Sequence, residues 1–259
     1  MRRTKIICTM GPATDNEDVL RDLMLNGMDV ARLNFSHGSH EEALERINRI
    51  KKVRDELNIP VAILLDTKGP EVRIKDFKEG KVELKEGQKF TLCTDDVVGD
   101  ENQVSITYAN LPNDVKVGSK ILIDDGLIEM EVISVKNNKI LCKVKNGGVV
   151  SNKKGVNVPN VSLSMPYMSQ KDIDDILFGI EQDVDFIAAS FVRTADDIRE
   201  IKTLLRDNGG RDIRIIAKIE NAEGVDNIDD IIRETHGIMV ARGDMGVEID
   251  MHDLPVLQK

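Results

Sequence analysis

Two apolar runs in this sequence end abruptly in charge. "IIAKIENAEGV", Ile215–Val225, carries Lys218 and Glu220, and "IMVARGDMGVE", Ile238–Glu248, carries Arg242 and Asp244. Earlier, "VARLNFSH" brings Arg32, Asn34 and Ser36 after an apolar start, and "VAILLD" closes on Asp66, followed by Thr67. A lone buried charge is costly, so such groups must partner one another or a ligand. Glu220 and Asp244 are hard oxygen donors suited to magnesium or manganese, with waters and substrate oxygens completing the shell. Arg32, Lys218 and Arg73 supply positive charge for a phosphate or carboxylate. Asn34, Ser36, Asp66 and Thr67 offer oxygens suited to a monovalent cation. Phosphoryl transfer needs this mixture, because it depends on positioning and charge neutralisation more than on covalent help from the protein. Each piece alone has a plainer reading. Lys218 with Glu220 makes a structural ion pair, Arg32–Ser36 a polar strand end, Arg242-Gly243-Asp244 an adhesion tripeptide, and Lys153-Lys154 a solvated hairpin. Compatible groups from four separate strands outweigh those readings.

The elements that must position these residues follow from periodicity. "KIICTM", "MDVARLNF" and "VAILLD" read as strands, separated by helices with apolar positions Val19, Leu20, Leu23 and Met24, then Leu44, Ile47, Ile50, Val53 and Leu57. Ser39 with Glu42 reads as a capping box for the second helix. From about Glu71 to Pro166 no segment has helical period. Short β runs are broken by turn signals there, with Asp125-Gly126 and Asn137-Asn138 as hairpin chemistry. Alternation then resumes. Ser169 and Asp172 cap a helix with apolar positions Ile173, Ile176, Leu177 and Ile180, and Thr194 caps the next. "DFIAASFV", "IRIIAKIE" and "GIMVAR" are three further strands. Strand–helix repetition implies parallel strands and right-handed crossovers. The expected fold is therefore α/β: a TIM-type (β/α)8 barrel, incomplete at about six of eight strands. An all-β domain at 71–166 interrupts barrel parts 1–70 and 167–259. Side chains alternate across a strand, so Ile216, Lys218 and Glu220 share one face, and Arg32, Asn34 and Ser36 another. All the polar groups sit at carboxyl ends, which converge on one mouth in a barrel.

Composition narrows the function classes. The 259 residues are 41% hydrophobic and 32% charged with no Trp, a globular composition with an aliphatic core. A net charge of −10 argues against nucleic-acid and anionic-membrane partners. Cys8, Cys93 and Cys142 give no disulfide framework, and with His37, His40, His236 and His252 they give no zinc spacing. The amino terminus "MRRTKIICTMGP" is basic and then apolar, but too short in its apolar part for a signal peptide. No stretch approaches a membrane span, and the cytoplasm is the expected location.

With these residues in view, the sequence resembles bacterial pyruvate kinase. The matching runs are "TKIICTMGPAT", "GMDVARLNFSHG", "ILLDTKGPEVR", "NKKGVNVP", "FIAASFVR", "KIENAEGV" and "VARGDMGVE". The resemblance implies a TIM-type domain with a β lid domain, and transfer of a phosphoryl group from phosphoenolpyruvate to ADP, giving pyruvate and ATP. It implies that Glu220 and Asp244 hold the divalent metal and that Lys218 stabilises the phosphoryl group in transit. Arg32 and the backbone around Gly243 would contact substrate, and Arg73 would face the phosphates. Asn34, Ser36, Asp66 and Thr67 match the potassium ligands, with Glu71 marking potassium dependence, and His37 and Lys153 match nucleotide contacts. Asn160 and Met165 stand where the family usually has Gly and Leu.

The family continues with further barrel strands, one bearing a substrate-binding Thr, and a C-terminal effector domain. The sequence is therefore expected to be the amino-terminal part of a homotetrameric enzyme, inactive and only partly stable alone, with a β domain that folds by itself. The alternative is a non-catalytic fragment or interaction module. A weaker third reading is another metal-dependent barrel enzyme acting on a keto-acid enolate.

Overall fold

Short apolar runs and amphipathic helices alternate along the first 69 residues, and the helix boundaries follow from their caps. Asn16 Oδ1 accepts from the N–H groups of Asp18 and Val19 to start the helix Glu17–Leu25. Ser39 Oγ accepts from Glu42 N–H to start His40–Leu57, which ends on Asn58 in the left-handed conformation. In the computed structural model, which describes residues 3–259, the chain forms two compact units. Met1 and Arg2, at the head of the basic amino terminus, lie outside the described residues.

Among the described residues, the strand–helix unit comprises residues 3–69, Tyr167–Ile219 and Asn227–Met239. Its six-stranded sheet runs in the order Ile7–Thr9, Val30–Asn34, Ala62–Asp66, Phe186–Ala189, Arg214–Ile219, Gly237–Val240. The first five strands pair in parallel. Ile63, Leu64, Leu65, Ile187 and Ile215 are all fully buried, as strands covered on both faces require. Register aligns the polar ends: Thr9 pairs with Arg32, Asn34 with Asp66, and Asp66 with Ala188. The strand ends at Asn34, so Ser36 lies in the following turn and not on the strand face with Arg32; its N–H bonds back to Asn34 Oδ1 at 2.9 Å.

The helix Gln170–Glu181 carries the full capping box expected of Ser169 and Asp172. Its buried face differs from the expected one. Ile176 is buried, but Phe178, Gly179, Asp172 and Asp175 replace Ile173, Leu177 and Ile180. Gly179 explains part of this: a Cβ there would come within 2.8 Å of Leu65 Cδ1, so the helix approaches the sheet through a residue without a side chain. The polar pair is satisfied, since Asp172 accepts from Gly69 N–H, and Asp175 from Lys171 and His40.

The second unit comprises Pro70–Pro166 with Glu220–Asp226 and Val240–Lys259. Part of the segment expected to belong to the barrel thus groups with the β segment. Bonds such as Ser162 to Glu223 (3.0 Å) and Asn157 to Glu248 (3.1 Å) tie it there. A seven-stranded mixed sheet and a two-stranded sheet surround an aliphatic core that includes Phe90, Leu92, Val104, Ile121, Met130 and Ile140. The turns at Asp124-Asp125-Gly126 and Asn137 form as expected, with positive φ at all four residues. The helical turn Leu111–Asp114 was not expected. Lys153-Lys154 is not a hairpin. Gly148–Ser151 before it pairs with Lys81–Leu84, whereas Gly155–Asn157 after it pairs in the other sheet. Asn160 has φ +60, which explains why glycine is natural there and why Asn is a tolerable replacement.

Candidate active site

In the strand–helix unit the carboxyl ends of four adjacent strands contribute to a cluster around Asp66. This side chain is 1% exposed, and each of its oxygens is engaged. Oδ1 accepts from Lys218 Nζ at 3.1 Å and lies 3.1 Å from Ser190 Oγ. Oδ2 accepts from Arg32 Nε at 2.6 Å and pairs with its Nη2. Lys218, 8% exposed, also donates to Ser190 Oγ at 2.8 Å. Arg32 reaches on to Thr9 Oγ1 at 2.7 Å. One carboxylate thus serves two cations, Arg32 and Lys218, and holds both at the strand ends where an anion could meet them.

The monovalent-cation candidates lie on the same edge. Asn34 and Asp66 are register partners, and Thr67 follows directly, its Oγ1 accepting from Ser190 N–H at 3.2 Å. Ser36 is half-buried and His37 exposed in the turn beyond. The residue that sequence reasoning missed is Ser190. Its only signal was a small hydroxyl at the end of "FIAAS", beside strands already singled out.

In the second unit, Glu220 is 1% exposed and immediately follows the Arg214–Ile219 strand. Asp244 is exposed in the first turn of the short helix Arg242–Glu248. Neighbouring Gly243 is open, with nothing near the position of a Cβ. Among the described residues no three His, Cys, Asp or Glu side chains cluster as a metal site. Glu220 and Asp244 would together offer a metal two carboxylates. That suits a cation such as magnesium, which takes one or two carboxylates and fills its shell with water and substrate oxygens. Arg73 pairs with Glu71 at 2.5 Å and donates to the Lys153 carbonyl at 2.6 Å. Lys154 pairs with Asp124 at 2.9 Å, while the Lys153 side chain is exposed.

Glu248 accepts one bond, from Asn157 Nδ2, and burial pushes its carboxyl above the ordinary range, the bond opposing that only in part. A carboxyl raised in the folded state binds more protons there than in the unfolded chain, so stability falls as pH rises from the unfolded value through the folded one. Glu248→Gln should therefore raise the melting temperature at pH 8 and leave it unchanged near pH 4. Equal melting temperatures at pH 8 would show that the charged form is not penalised.

Residues 1–259 match the family model "Pyruvate kinase, barrel domain". The chain belongs to the pyruvate kinase family. It is 54% identical over 260 residues to a pyruvate kinase of Geobacillus stearothermophilus, covering all of this chain and 44% of that protein. It is 50% identical over 260 residues to one of Clostridium perfringens, covering all of this chain and 55% of the relative. The chain therefore spans about half the length of the curated relatives it matches. As in the pyruvate kinase family, its parallel sheet is part of a TIM-type barrel, interrupted by a β domain.

Proposed function

We propose that this chain carries substrate- and metal-binding residues for phosphoryl transfer from phosphoenolpyruvate to ADP, giving pyruvate and ATP. The observation that carries the reading is the buried Asp66–Lys218–Arg32 cluster at the strand ends of a chain from this family. Lys218 presents an ammonium whose charge Asp66 shares with Arg32. It would meet the phosphoryl oxygens, where negative charge is spread in the transition state. Arg32, already oriented by Thr9 and Asp66, would hold the substrate's phosphate. Glu220 and Asp244 would hold magnesium or manganese, with the Gly243 backbone at the substrate. Asn34, Ser36, Asp66 and Thr67 would hold potassium. His37, Arg73 and Lys153 would serve the nucleotide. When bound, the cations supply charge neutralisation for the substrate oxygens. The chain's own contribution is to place fixed cations and carboxylates so that little reorganisation is needed during transfer.

Manganese titration of this chain, followed by water-proton relaxation, tests the metal pair without requiring turnover. Glu220→Gln and Asp244→Asn should each weaken manganese binding by about tenfold or more, the loss of roughly one charged ligand contact. Unchanged affinity in both variants would remove these residues from the metal site.

A further inference from the structure

One buried hydroxyl sits at the centre of the strand-end cluster without a role in the reading above. Ser190 directly follows the Phe186–Ala189 strand and is 2% exposed. Its N–H donates to Thr67 Oγ1 at 3.2 Å, and its carbonyl accepts from the Tyr167 hydroxyl at 3.0 Å. Its hydroxyl has one proton, and the shortest contact, 2.6 Å, commits it to the Thr67 carbonyl. The backbone is closed in from the side as well. Gly69 has φ +70, and a Cβ on it would stand 2.7 Å from the Ser190 carbonyl oxygen. The next residue, Phe191, has φ +54, an outlying conformation for a bulky side chain that the surroundings must hold in place. Ser190 is thus fixed at its N–H, carbonyl, side chain and flank.

With its proton committed, the Ser190 oxygen faces Lys218 as an acceptor at 2.8 Å. An ammonium rotates about its last bond. Asp66, shared with Arg32, draws it by charge and accepts from it at 3.1 Å. The Ser190 oxygen, held rigidly by its own bonds and closer to the ammonium at 2.8 Å, adds a constraint on the rotation of the group. We propose that Ser190 is a positioning residue, which orients the Lys218 ammonium through the hydrogen bond it accepts. The proposal rests on the reading of Lys218 as the group that meets the phosphoryl, where small errors of orientation are costly.

The test is reductive methylation of this chain at one fixed pH, with the extent at Lys218 read by peptide mass spectrometry relative to exposed Lys78. Ser190→Ala should raise Lys218 labelling by about tenfold, the worth of one hydrogen bond to a charged group. Ser190→Thr keeps the oxygen and should stay within about twofold of the wild type. If Ser190→Ala does not fold, Tyr167→Phe releases the Ser190 carbonyl but keeps the hydroxyl, and should raise labelling by about threefold. Lys218 labelling at the wild-type rate in Ser190→Ala, or in Tyr167→Phe where Ser190→Ala does not fold, would overturn the proposal, as would a folded Thr variant as reactive as Ala. Labelling reads the Lys218 side-chain amine itself, so its outcome is separate from whether Lys218 serves phosphoryl transfer, which the rates of Lys218→Met decide.

Discussion

Replacing Lys218 by Met should lower the rate of phosphoryl transfer by about 10³–10⁵, by analogy with cations that stabilise a transferring phosphoryl group. That corresponds to about 4–7 kcal/mol of transition-state stabilisation. Methionine keeps much of the length and bulk of the lysine stem but removes the charge that pairs with Asp66 at 3.1 Å and bonds Ser190 at 2.8 Å. The loss should fall on kcat, with substrate KM changed little, because the ammonium is expected to act more strongly on the transition state than on bound substrate. A suitable vehicle is a chimera in which this chain replaces the matching 260 residues of the Geobacillus relative. A loss seen mainly in KM would assign Lys218 to substrate binding instead.

Asp66→Ala should be the most destabilising single change in the strand–helix unit. Asp66 is 1% exposed and is the carboxylate partner of both Lys218 and Arg32. Removing it takes a carboxylate partner from an ammonium that is 8% exposed, and breaking a buried pair in this way costs about 3–5 kcal/mol. Asp66→Asn retains the shape and one acceptor, and should cost about half as much. Chemical denaturation of the chain measures both. A loss below about 1 kcal/mol for the Ala variant would mean that water or relaxation supplies the missing partner.

Much of this arrangement was legible in the sequence because strand alternation and the position of charge at strand ends are local properties. Asp66 closing "VAILLD" and Lys218 within "IIAKIE" could be placed at one edge without knowing which strands are neighbours. Caps were similarly local: Ser169 and Asp172 lie three residues apart and bond as that spacing requires. What failed depended on contacts distant in sequence. Lys153-Lys154 looks like a hairpin tip, but the strands on either side of it join different sheets. The inner face of Gln170–Glu181 is set by the contact of Gly179 with Leu65, which no periodicity reports. Ser190 escaped because a neutral hydroxyl carries no charge signature. Its importance comes from Thr67, Tyr167 and Lys218, which converge on it from other parts of the chain.

The most direct measurement is phosphorus NMR of the chimera with phosphoenolpyruvate, ADP, magnesium and potassium. The expected result is loss of the phosphoenolpyruvate resonance matched by growth of the ATP γ-phosphate resonance, abolished in the Lys218→Met variant. A folded chimera that leaves phosphoenolpyruvate intact, or releases inorganic phosphate without forming ATP, would contradict the assignment of these strand-end residues to phosphoryl transfer.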